Sequence, residues 1–405
     1  MKIFLLPSFY LLVFFNIGFI LFELRLIDYL ETSPYLYFIV LQVNLLCLIS
    51  MIFHRKILVV RRFAGQAMNF SSREKSTSSI YMVFILSFAS IAGIYIHSVY
   101  LFDQFGGIAA YLLVLANSSH EIRILNGDIG FSVGIQIAYL SWVVVSLISY
   151  KLHFENVTKS QRVFLLACFV LVFLVNLTFI DRTRPIWLAW NFFFVSIIHT
   201  VLFGNLKVLA RKMIRLGAGA LGIFVLIGLW IGKIEGERET ISGAPQWLES
   251  IYIYITGGYA YLNILLSSGG SFLSDEFTRS FYPILMFLSK LGLASSPPSQ
   301  ILDFKNVGGY ETNTGTFVEP FLSDGGLILV AIFIVVHTFV FDFIATRCYS
   351  KMNFISIFYV SLLTFCNLVA FFVPKFVSVP FYGFTIIYFG YIFLSGFSKV
   401  TYAKK

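Results

Sequence analysis

The sequence predicts an all-α fold, a polytopic membrane bundle of about ten transmembrane helices with both termini on the cytoplasmic side. Three observations predict it. The 405 residues are 58% hydrophobic and only 12% charged, more apolar surface than a soluble chain of this length can cover. Ten apolar runs approach the roughly 20 residues that a helix needs to cross a bilayer. The charges are segregated: with the N-terminus inside, 19 of the 29 basic residues and only Glu74 and Glu155 among the acids fall in inner segments. That asymmetry obeys the positive-inside rule. It also accounts for the net charge of +9 without any nucleic-acid partner. Alternating ten-residue segments, the mark of a membrane β-barrel, do not appear.

In order, the expected spans are 3–22, 35–53, 80–102, 130–150, 163–180, 186–203, 216–232, 324–346, 353–373 and 378–396. The first run is too long for the apolar core of a secretory leader and no A-x-A site follows, so it is read as the first membrane helix. Residues 54–79 form a basic inner loop with a topological role. The first long outer loop, Asp103 to Ile129, contains an apolar stretch too short to span, read as an interfacial or re-entrant helix. The second, residues 233–323, is a large outer loop inserted between the seventh and eighth spans. Its length implies a cap of short helices over the bundle. The whole chain, 1–405, is one membrane domain without internal repeats.

Several motifs are present but carry no chemistry. Gly217 to Gly222, "GAGALG", matches G-x-G-x-x-G yet opens a membrane span, where small residues serve close helix packing. No phosphate-binding loop for ATP is found, and no cofactor or metal is expected. Cys47, Cys168, Cys348 and Cys366 form no C-x-x-C pair and read as apolar core residues. His97, His199 and His337 fall within spans and suit interhelical hydrogen bonds, whereas His54 and His153 are placed in inner loops without a specific task. Asp342, one turn from Arg347, suits a pair with it near the inner interface.

The outer face gathers the candidate site. It holds Arg123, Arg182, Arg184 and Arg279 and the carboxylates Glu319 and Asp324, interleaved with tyrosines and glycines. Arginine presents a planar fork that matches phosphate oxygens. "DRTRP", residues 181–185, crowds two arginines into a short outer turn with one acid to balance them, which calls for an anionic partner such as a lipid-linked diphosphate. Glu319 and Asp324 sit where the large loop re-enters the membrane and are the candidate catalytic carboxylates. Glu319 is favoured as general base; Asp324 also suits the cap of the next helix. Tyr310, Asn313 and Tyr259 are the candidate glycan contacts, the tyrosines through ring stacking. Tyr252 and Tyr254, two apart, share a face only if the segment is a strand.

Three features together resemble the O-antigen polymerases, the oligosaccharide repeat unit polymerases also called Wzy. These are "FGGIAAYL…R" at 105–123, the Arg182-Thr183-Arg184 turn between paired spans, and the closing "NTGTFVEPFLSDGG" at 313–326. The resemblance covers most of the chain but rests on pattern and order. It implies a GT-C-like membrane glycosyltransferase of the bacterial inner membrane with its active site on the periplasmic side. The substrate it implies is an undecaprenyl-diphosphate-linked oligosaccharide, polymerised for lipopolysaccharide without nucleotide sugar or ATP, and the partner is a Wzz-type chain-length regulator. The related ligases carry a histidine in the large outer loop, and residues 233–323 contain none. Metal-dependent relatives carry D-x-D in the first outer loop, which here reads "ELRLIDYLET". A ligase, or a flippase for lipid-linked oligosaccharides, remains the alternative.

Overall fold

The computed structural model describes residues 2–60, 78–117, 132–177, 183–205, 207–215, 219, 222, 246–268, 278–295, 297, 302–351 and 353–402. The spans form as helices because long apolar stretches leave the backbone no partner but itself in lipid. In chain order the helices are α1 (Pro7–Glu23), α2 (Pro34–Val60), α3 (Ser78–Gln104), α4 (Ile108–Asn117), α5 (Val133–Ala138), α6 (Leu140–Phe154), α7 (Lys159–Asn176) and α8 (Thr183–Phe203). After these come α9 (Gln246–Ser267), α10 (Tyr282–Lys290), α11 (Glu319–Lys351), α12 (Phe354–Leu368) and α13 (Val379–Tyr402). Among the described residues, six helical stretches are long and apolar enough to cross a membrane, and α1, α12 and part of α13 are shorter apolar helices. Nine of the ten expected spans coincide with these; 216–232 lies, but for Gly219 and Gly222, outside the described residues.

Proline starts α1 and α2 at their first residue, where no backbone donor is lost. Thr158 caps α7 in a full capping box with Gln161. α1 packs on α2, α9, α11 and α12, while α3 packs on α5, α6 and α7; α12 joins the two groups through α6 and α8. Large side chains such as Leu41, Phe88, Ile328 and Ile386 are more than 60% exposed, which fits a surface facing lipid rather than water.

Several polar groups inside the bundle are paired across helices. His337 Nε2 meets Asn367 Oδ1 at 2.7 Å, as expected for a histidine within a span. His97 Nδ1 reaches the Ser132 hydroxyl at 3.2 Å. Asp342 departs from expectation. Its carboxylate accepts from the Ser8 amide at 3.0 Å, the Ser8 hydroxyl at 2.5 Å and the Ser50 hydroxyl at 2.7 Å, and it binds three helices together. Arg347 instead lies over the Phe343 ring. His54 is not a loop residue either: it is buried in α2, with Nδ1 3.1 Å from the Ser50 hydroxyl and 3.9 Å from Asp342. A fully buried carboxylate needs several partners, and the serines supply more of them than one arginine at the interface would.

The segment expected to form a large outer loop is built differently from a set of short helices. α10, with 9 residues, is short, but α9 has 22. One stripe of α9 fastens the α1–α2 connection. Tyr252 donates to Leu21 O at 2.7 Å, Thr256 meets the Tyr29 hydroxyl at 2.7 Å, Tyr259 donates to Phe15 O, and Asn263 takes the Ser33 amide at 2.8 Å. Positions 252, 256, 259 and 263 share one helical face. Downstream, β1 (Lys305–Val307) and β2 (Tyr310–Thr312) pair antiparallel with Val307 opposite Tyr310. Gly308 and Gly309, at φ +61° and +87°, make the tight hairpin turn that glycine favours.

Candidate functional site

The chain between α9 and α12 brings three of the expected site residues together. α11 opens with a short turn, Glu319 to Asp324, and breaks at Gly325 and Gly326 before the long span continues. Gly326 has φ +63°, a conformation that side chains resist. The break lets Asp324 point away from the span. Its carboxylate accepts the backbone amides of Arg279 (3.1 and 3.2 Å) and Ser280 (2.6 Å), while the Ser280 hydroxyl donates to Pro320 O at 3.2 Å. Asp324 is 1% exposed. It therefore clamps the 278–280 turn onto the 319–324 turn rather than facing a substrate, and the catalytic expectation for it is corrected to a positioning one.

The clamp aims Arg279 at Glu319. Arg279 Nε lies 3.4 Å from Glu319 Oε1, which also accepts the Ser323 hydroxyl at 2.9 Å. Glu319 is 2% exposed and Arg279 28%, so the carboxylate is held and the guanidinium has room to swing. Gly315 passes directly over the acid: a Cβ there would lie 3.0 Å from Glu319 Cβ and Cγ. Beside the pair is a cavity of about 120 Å³ lined by Thr278, Arg279, Tyr282, Glu319, Lys375 and Ser378, among others. Tyr261, buried on α9, is within electrostatic reach. Burial pushes its hydroxyl up, Glu319 adds to the shift and Arg279 opposes it, so it stays a neutral phenol.

No family model, no curated protein and no solved structure matches this chain.

The other expected residues are placed elsewhere. Arg123 and Arg182 lie outside the described residues. Arg184 does not stand open in an outer turn. It sits in the first turn of α8, 5% exposed, with its guanidinium 4.5 Å above the Tyr139 ring, because a planar cation gains from an aromatic face once water is excluded. Tyr310 and Asn313 are half-buried on the hairpin and the loop after it, and both keep open surface. Tyr259 is corrected outright: it is wholly buried against Phe15 and Phe22 and has no face left for a sugar. Tyr252 and Tyr254 share no face, because their segment is helical.

Among the described residues no cluster of three histidine, cysteine or acidic side chains is arranged to hold a metal. Lys375 was not singled out from sequence. Its signal was there: "VPKFVSVP" puts a cation in a short turn between two apolar runs, the same feature that drew attention to residues 181–185. Ser280 and Ser323 gave no such signal.

Proposed function

We propose that this protein is a membrane glycosyltransferase that polymerises undecaprenyl-diphosphate-linked oligosaccharide units at the periplasmic face of the bacterial inner membrane. The observation that supports it is a buried carboxylate, Glu319, held 3.4 Å from a partly exposed arginine beside a cavity at one end of a lipid-facing bundle. Sugar transfer from a diphosphate needs those two functions side by side. Glu319 takes the proton from the acceptor hydroxyl as that oxygen bonds to the anomeric carbon of the donor. The bond from that carbon to the diphosphate oxygen breaks, its electron pair leaves with the diphosphate, and Arg279 stabilises the charge that develops there. The proton passes from Glu319 to solvent afterwards. Tyr310 and Asn313 are the surfaces offered to the glycan, and a chain-length regulator of the Wzz type is the proposed partner. The diphosphate role assigned from sequence to four arginines rests here on Arg279.

The test is direct. Purified protein given a defined lipid-linked repeat unit yields a ladder of glycan lengths, and Glu319→Gln protein, folded and in the membrane, yields none. Movement of single units between leaflets with no ladder would instead make the protein a flippase. Transfer of one glycan onto a lipid acceptor without a ladder would make it a ligase.

A further inference from the structure

Lys375 has no place in the reaction as written, yet it lines the same cavity as Arg279 and Glu319. It arrives from a separate part of the chain, a single 3-10 turn (Lys375–Val377) between α12 and α13. Among the described residues its ammonium group forms no ion pair, whereas Arg279 is matched to Glu319. The cavity walls thus carry two cations and one carboxylate, an excess of one positive charge around about 120 Å³, space for several water-sized groups. The cations are not equivalent. Arg279 is the partly exposed member of its pair and Glu319 the fixed one.

We infer that this cavity takes a diphosphate group between Lys375 and Arg279, and that its arrival draws Arg279 away from Glu319. Rotation of one partly exposed side chain is all the exchange requires. A guanidinium gains two parallel charge-assisted bonds from phosphoryl oxygens, more than the single 3.4 Å approach it has to Glu319. A buried carboxylate that loses its cation binds a proton more avidly. Glu319 is therefore quenched by Arg279 while the cavity is empty of anion, and is released as a base when the diphosphate is seated. This deepens the transferase reading and rests on it: the donor must bind before an acceptor hydroxyl can be deprotonated.

Calorimetry on the full chain in detergent, with inorganic pyrophosphate as probe, tests the site without any turnover. Wild-type protein binds pyrophosphate. Lys375→Gln weakens binding at least tenfold and Lys375→Arg restores it. Glu319→Gln binds several-fold tighter than wild type, because Arg279 no longer has a partner to abandon. A Lys375→Gln protein that binds like wild type overturns the site, and a Glu319→Gln protein that binds no tighter overturns the exchange. Competition separates the sources of the anion. Displacement of pyrophosphate by solubilised polyprenyl diphosphate supports a lipid headgroup, whereas displacement by orthophosphate alone overturns it in favour of a free-phosphate site. The two readings fail separately: a glycan ladder without pyrophosphate binding removes only the inference, and binding without a ladder removes only the transferase.

Discussion

Glu319 and Asp324 look interchangeable in the sequence, two carboxylates at the mouth of one span. Their surroundings separate them. Asp324 spends both oxygens on backbone amides and Glu319 faces a cation and a cavity. Asp324→Asn replaces one acceptor oxygen by a donor aimed at N–H groups. Hydrogen bonds to a charged group contribute about 1.5–3 kcal/mol each, so a stability loss on that order is expected, read as a lower midpoint in thermal unfolding. Glu319→Gln keeps the shape and one acceptor; its midpoint stays near wild type while the ladder disappears. A ladder of wild-type intensity from that variant would remove Glu319 as base. The tyrosines divide in the same way. Tyr259→Ala empties a core position and is expected to cost roughly 3–5 kcal/mol, the range for large aromatic truncations. Tyr310→Ala, on a half-buried hairpin position, should leave the unfolding midpoint nearly unchanged and weaken acceptor use in the ladder assay. At this scale the types of residue at the site were legible, and Arg279, Glu319 and Asp324 were each singled out. What each one touches was not, because the contacts join positions 279 and 324, and 279 and 319, and short local pattern carries no information about those pairings.

The helices of the bundle were legible because lipid imposes a rule on every residue in a run: apolar side chains outside and all backbone bonds inside. The segment between 246 and 318 obeys no such rule, and there sequence and structure part. "IYIYITGGYAY" alternates in a way that fits a strand, yet it lies inside a 22-residue helix. The stripe at 252, 256, 259 and 263 was the available clue, since polar side chains at helical spacing all find partners in residues 15–33. Gly257 and Gly258 are the second clue. A Cβ on Gly258 would lie 2.6 Å from the Phe371 carbonyl oxygen, so only glycine lets α9 approach the chain that leads to Lys375. Gly258→Ala is therefore expected to push these two elements apart, lowering both the unfolding midpoint and polymerising activity. Gly326→Ala acts by strain instead. Its positive φ with extended ψ is open essentially to glycine alone and penalises a side chain by about 1–3 kcal/mol, and relief of that strain would straighten the turn carrying Glu319. Its signature is a larger loss of activity than of stability; full activity in the Gly326→Ala variant would show that the break does not position the acid.

At the scale of the molecule, the helix contacts sort the chain into two ends, and the charges follow the sorting. At one end Ser8, Ser50 and Asp342 meet. The Tyr150 ring lies 6.0 Å from Phe354, His153 lies 5.9 Å from His199, and Lys212 donates to Ser196 and Thr200. Burial holds the Lys212 ammonium below its usual pKa. Lys151, Lys159, Lys207, Arg211 and Arg347 lie along these same elements and connections. At the other end Asn263 holds Ser33, Phe317 bonds Ala370, and Glu319 faces Arg279. If the basic end is the cytoplasmic one, as the positive-inside rule requires, the cavity opens on the opposite side, where the proposed lipid-linked substrate would be met. The arrangement can be measured by labelling. All four cysteines are buried, so their replacement by alanine or serine gives a silent background with modest structural cost. In that background Lys290→Cys and Asp303→Cys, both at exposed positions, are expected to react with a membrane-impermeant maleimide on intact spheroplasts. Lys159→Cys and Lys207→Cys, equally exposed, should react only after the membrane is permeabilised. Labelling of Lys159→Cys or Lys207→Cys from outside would invert the molecule. It would place Glu319 in the cytoplasm, and with it would go the assignment of a lipid-linked glycan as the substrate.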